Sequence, residues 1–203
     1  MSHNHYSGGL TREQFLFYEI RIVASLICQG KNRDEIQAEI FTENLFQFPT
    51  ERTIRKIVNT CFRRIDALNS EELVQHLAES SVQVGKQINL YAIMCENSIV
   101  YDFMTEVIGE KFRSQELDFS QKDVNLFFME LVEKVPAVND WSDSTIKKLK
   151  QVLVKFLVEC EYLDNTKSEQ LQPVYLYPEL EESIRAKNDM DALTAFNCFT
   201  AMQ

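Results

Sequence analysis

The sequence predicts a mainly α protein built of helical domains with helix-turn-helix-like parts and a short C-terminal β-hairpin wing. Three observations carry that expectation. Glycine and proline are scarce for a turn-rich fold, five and four in 203 residues, which argues against a β sandwich. Apolar residues recur with a period near 3.6 in segment after segment, and most of these segments open on a Ser, Thr or Asn able to cap a helix. Only near the C-terminus does the period change: the turn-forming run Asp164 to Gln170 is followed by Leu171 to Tyr177, which alternates like a short edge strand that tolerates Pro173.

Taken in order, Thr11 and Gln14 read as a capping box opening a helix that runs to about Gln29 and ends at Gly30. Phe15, Leu16, Tyr18, Ile20, Ile22, Val23, Leu26 and Ile27 cover more than one of its faces, so it is expected to be central and nearly surrounded. Asn32, with Glu35 three residues on, caps a short helix, and after Pro49 Thr50 caps a long one over Glu51 to Leu68. Asn69 and Ser70 introduce Glu71 to Glu79. Two apolar helices follow, about Val82 to Glu96 and Ser98 to Phe112, and then Ser120 with Asp123 opens another that Pro136 ends. A polar start at Trp141 leads into a basic helix, and Pro178 to Lys187 and Ala192 to Phe199 close the chain. This order suggests an N-terminal helix-turn-helix-like domain over residues 1–80, and a helical domain over 81–203 that ends in a winged-helix-like part.

Two of these helices carry the candidate chemistry. On Glu51–Leu68 the side opposite Ile54, Val58, Cys61 and Ile65 is read as bearing Arg52, Arg55, Lys56, Arg63 and Arg64. Beyond Trp141, Ile146, Leu149, Leu153, Phe156, Leu157 and Cys160 form an apolar face, leaving Thr145 near the amino end and Lys147, Lys148, Lys150 and Lys155 on the other side. Helix amino ends and lysines together suit phosphates, and a helix followed by a hairpin is the order in which a winged helix presents its reading parts. Each helix has an ordinary alternative: a solvated face, or arginines paired with acidic neighbours.

Other classes of function find less support. There is no Gly-rich phosphate loop, nucleophile elbow, CxxC pair or HExxH, and His76 lacks a partner at catalytic or metal spacing, so neither catalysis nor a metal or cofactor is expected. Five widely spaced cysteines (28, 61, 95, 160 and 198) read as buried thiols of a reducing cytoplasm. No apolar run approaches the roughly 18 residues of a membrane span. The net charge of −10 opposes a nucleic-acid role at long range. It is unevenly spread, however: residues 1–100 carry 10 Lys/Arg and 12 Asp/Glu, against 11 and 19 in 101–203. Screening over about 8 to 10 Å lets local basic faces act.

Several strings, in this order, resemble one family: Tyr-Ser-Gly-Gly-Leu-Thr-Arg-Glu from Tyr6, Asn-Leu-Phe-Gln-Phe-Pro-Thr-Glu from Asn44, and Gln-Ile-Asn-Leu-Tyr-Ala from Gln87. Phe-Met-Thr-Glu-Val-Ile-Gly-Glu-Lys from Phe103, Trp-Ser-Asp-Ser-Thr-Ile-Lys-Lys from Trp141 and Ala-Phe-Asn-Cys-Phe from Ala195 complete the set. The chain resembles the BrxA family of bacterial BREX phage-exclusion loci from about Tyr6 to Phe199. That resemblance implies a cytoplasmic, mostly helical protein, similar in one domain to the antitermination factor NusB, that binds double-stranded DNA and serves antiviral defence and phage resistance with other BREX-system proteins. The rival expectation is a protein interaction scaffold within the defence complex. No family motif assigns DNA-contacting residues, so the nine named cations and the one hydroxyl, Thr145, rest on the reading of the helices alone.

Overall fold

A computed structural model describes residues 6–199, and the chain is mainly helical. It divides into two compact units: an inserted unit, Phe15–Glu96, and a flanking unit that joins the described parts of Met1–Gln14 and Asn97–Gln203. The boundary placed after residue 80 is therefore not where the packing divides. Residues 82–96 belong with the helices before them, and Leu10, 1% exposed, belongs to the flanking core.

The inserted unit contains α1 (Phe17–Cys28), α2 (Arg33–Thr42), α3 (Glu51–Leu68), α4 (Glu71–Glu79) and α5 (Val82–Glu96). The α1 helix packs on the other four, with Ile20, Val23 and Ala24 fully buried, so it is the central helix its apolar content predicts. Gly30 at φ 81 ends it. Its start differs from the expected capping box. Thr11 donates its hydroxyl to Gly8 O within a 3-10 turn, Gly8–Arg12, and α1 begins only after Leu16, whose φ is 54. The other caps form as read: Asn32 and Glu35 make a capping box on α2, Thr50 accepts from the Thr53 amide, and Ser70 accepts from that of Leu73.

In the flanking unit, α6 (Ser98–Asp102), a π-helical turn (Phe103–Gly109) and α7 (Glu110–Ser114) run on without interruption. The Thr105 hydroxyl donates back to Tyr101 O, a bond that accompanies the widened turn. Then come α8 (Gln121–Lys134), capped by Ser120 and Asp123, α9 (Pro136–Asn139), α10 (Asp143–Glu159), α11 (Pro178–Ala186) and α12 (Met190–Ala195). Aromatic rings fill the centre: Phe127 meets Phe103 and Phe128 edge-on at 5.3 and 5.4 Å, and the fully buried Tyr162 donates to Ala195 O at 2.9 Å. Gly109 admits α12 closely, since a Cβ there would lie 2.4 Å from Thr194 Oγ1.

The β-hairpin wing is absent; no strand forms among the described residues. Residues 164–177 turn back far enough for Gln172 N–H to donate to Tyr162 O at 2.8 Å, but no hairpin ladder follows. Instead Leu171 N–H donates to Leu117 O, Phe119 N–H donates to Glu169 O, and a lone bridge joins Asp118 to Gln170. Leu171 and Val174 are buried three residues apart while Tyr175 is exposed, which is not the two-residue alternation of a strand. The cysteines are likewise less uniform than expected: Cys61 and Cys160 are buried and Cys28 is exposed, all without disulfides. Among the described residues no helix is long and apolar enough to cross a membrane.

Candidate nucleic-acid interface

Helical geometry, about 100° per residue, decides which cations of α3 share a face. Arg52, Arg55, Lys56, Asn59 and Arg63 fall within one arc and are exposed. Arg64 lies a further 100° round and is fully buried. Its Nη1 donates to Phe15 O at 2.8 Å, and Asn89 Nδ2 donates to the same oxygen at 2.7 Å. Together they fix the chain just before the left-handed Leu16 that opens α1. Arg64 is thus an internal tie, unable to reach a phosphate, and leaves the candidate set.

The remaining α3 cations are partly committed within their own unit. Arg63 Nε donates to Glu96 Oε1 at 3.1 Å, and Arg55 stacks 5.2 Å from the centre of the Phe41 ring on α2. Arg33, which the sequence did not single out, lies 4.8 Å from the Phe62 ring centre and donates to both oxygens of Asp66. Arg52, Arg55 and Lys56 are exposed with no ion pair among the described residues, and of these Arg55 is held against a ring.

On α10 the balance is different. The apolar face of Leu149, Val152, Leu153, Phe156 and Leu157 is buried. Opposite it, Lys147, Lys148 and Lys155 are exposed and form no ion pair among the described residues. Lys148 and Lys155, two turns apart, stand one above the other, with Lys147 beside them. Lys150 is half-buried: its Nζ donates to Asn125 Oδ1 at 2.8 Å and sits 5.5 Å from the Phe128 ring centre, which ties α10 to α8. At the amino end, Ser142 Oγ accepts from Thr145 N–H and lies within 3.0 Å of the Ser144 and Thr145 hydroxyls. Thr145 faces inward, since a Cβ on Gly8 would lie 3.4 Å from its methyl. It positions the helix and does not point from it.

The elements α8, α9 and α10 keep the order helix, tight connection, helix, with α10 presenting its lysine stripe outward. Such a stripe neutralises phosphates irrespective of base sequence, because ammonium groups read charge and not base edges. No group of three or more His, Cys, Asp and Glu residues suited to a metal ion occurs among the described residues.

The family model described as BrxA matches residues 4–188. The BREX protein BrxA of Bacillus cereus (strain H3081.97) is 31% identical over 185 residues, 91% of this chain and 92% of that protein. The BREX protein BrxA of Escherichia coli O9:H4 (strain HS) is 27% identical over 187 residues, 92% and 87% of the two chains. Among solved structures, the crystal structure of an uncharacterized protein from Magnetospirillum magneticum superposes with a TM-score of 0.79 at 24% identity, covering 94% of this chain and 97% of that one. At that identity the likeness speaks for the fold alone.

Proposed function

The chain belongs to the BrxA family, and on that premise we propose that it is a non-catalytic, DNA-binding component of a BREX bacteriophage-defence system with low sequence specificity. The observation that carries this reading is the outward stripe of Lys147, Lys148 and Lys155 on α10, exposed cations that form no ion pair among the described residues. Arg52, Lys56 and the stacked Arg55 add a second, weaker basic face on α3. The helix-turn-helix-like order of α8 to α10 brings the stripe forward without a wing. The protein works in the cytoplasm, in keeping with five free cysteines. Contact with other BREX proteins is supported by an exposed apolar pair on α8, Leu126 and Met129.

Fluorescence anisotropy with two duplexes of unrelated sequence tests the reading. Three neutralised phosphates give a log-log salt slope of about −3, rising toward about −5 if the α3 cations join them. Both duplexes are expected to bind within a few-fold of each other. A slope nearer −1, or no binding at about 50 mM salt, defeats the DNA role, and turnover of DNA or nucleotide by rigorously purified protein defeats the non-catalytic one.

A further inference from the structure

One surface of the flanking unit combines features that a phosphate backbone does not use. Leu126 and Met129, one turn apart on α8, are 55% and 64% exposed. Beside them an open groove of about 390 Å³ runs between α8 and α10, lined by Asn125, Ile146, Lys147, Lys150 and Gln151 among others, with Asp143 as its carboxylate. The Asn125–Lys150 hydrogen bond holds the two helices together, so the groove is already formed. Lys122 stands one turn before Leu126 on the same face of α8.

We propose that this groove and the adjoining Leu126–Met129 ridge are a docking site for an acidic amphipathic helix of another protein. A furrow between two helices accepts the side-chain ridge of a third, and apolar anchors at i and i+3 or i+4 fit the ridge. Charge selects the partner: Lys122, Lys147 and Lys150 face it against the single carboxylate of Asp143. Farther along α8, Glu130 is engaged by Lys134 at 3.5 Å and Glu133 is exposed, so the partner's acids lie toward the amino end of α8. The site goes beyond the DNA reading and does not rest on it. The two share only Lys147 at their border, and Leu126 and Met129 belong to the groove alone.

The test uses the full chain with a photo-crosslinking amino acid at position 129, mixed with the other purified proteins of its BREX locus. The expected product joins position 129 to one helical segment of net negative charge with apolar residues at i and i+3 or i+4. A synthetic peptide of that segment then binds, and Leu126→Asp, or Lys147→Glu with Lys150→Glu, weakens it at least tenfold. Leu126 is exposed, so its variant should fold, and duplex DNA affinity of Leu126→Asp stays within twofold of the parent. The proposal is overturned by no crosslink, by a crosslink to DNA, to a second copy or to a neutral or basic segment, or by peptide affinity unchanged in Leu126→Asp. Loss of DNA binding by the parent chain would instead defeat the DNA reading and leave the groove standing.

Discussion

Helices α3 and α10 look alike in sequence and differ in what their cations do. Each is long, capped by a hydroxyl, apolar on one side and basic on the other. In α3 the arginines are largely turned to internal work: Arg64 holds the Phe15 carbonyl, Arg63 meets Glu96, and Arg55 lies on Phe41. In α10 only Lys150 is tethered. A basic helix is therefore not the same thing as a basic surface. The planar, weakly hydrated guanidinium serves as a bridge inside a fold, whereas the strongly hydrated ammonium stays at the end of its stem, free for a phosphate.

The sharpest way to break this contrast is Arg64→Ala. Losing a buried, charge-assisted hydrogen bond costs about 1–3 kcal/mol, read as a lower urea midpoint, with Asn89 still donating to the Phe15 carbonyl; a loss under about 1 kcal/mol would mean that Arg64 is not the tie it looks to be. Next in size is DNA affinity. Reversing Lys147, Lys148 and Lys155 to Glu removes three phosphate contacts, about a hundredfold near 0.15 M salt, while Arg52→Glu with Lys56→Glu is expected to cost tenfold or less. The opposite order would move the principal interface to α3.

A third measurement follows the inner face of α3. Burial pushes the Cys61 thiol up to about 12, with Arg64 pulling it back down. The unfolded thiol ionises near 9 and the folded one does not, so this contribution to stability is fully present below pH 9 and is lost as pH rises toward 12. The loss is at most about 1.4 kcal/mol per pH unit. Cys61→Ala should flatten the alkaline side of the stability curve, and an unchanged slope would contradict the buried thiol. The smallest effect belongs to Arg63→Gln. Its pair with Glu96 is half-exposed on the arginine side and should contribute under about 1 kcal/mol, far less than its neighbour in sequence.

Much of this architecture could be read from caps and periods. Thr50, Ser70 and the apolar period place α3, α4 and α5 with the bounds they have, because a capping hydroxyl and a 3.6-residue stripe are local signals. The site was less legible. Arg63 and Arg64 were read as one face although adjacent residues stand 100° apart, and that angle alone would have turned Arg64 toward Cys61 and Leu68. The wing failed for a related reason. Leu171 and Val174 anchor the segment at a spacing of three, and beside one local bond, Gln172 N–H to Tyr162 O, its backbone pairs with Leu117 and Phe119 some fifty residues away, where no turn rule looks. Leu126 and Met129 were invisible as a surface because composition counts them with the core.

The interruption of one unit by the other sets an order of assembly during synthesis. The turn at Gly8–Arg12 leaves the ribosome first, yet it packs against α10, whose last residue is made some 150 residues later. Over that interval, roughly 10 to 30 s at ordinary elongation rates, the inserted unit can emerge whole and fold while the leading strand of chain waits for its seat. The segment Gly8–Arg12 is thus a latch that cannot close before α10 is made. A nascent chain stopped before Asp143 holds a finished inserted unit attached to an unclosed latch.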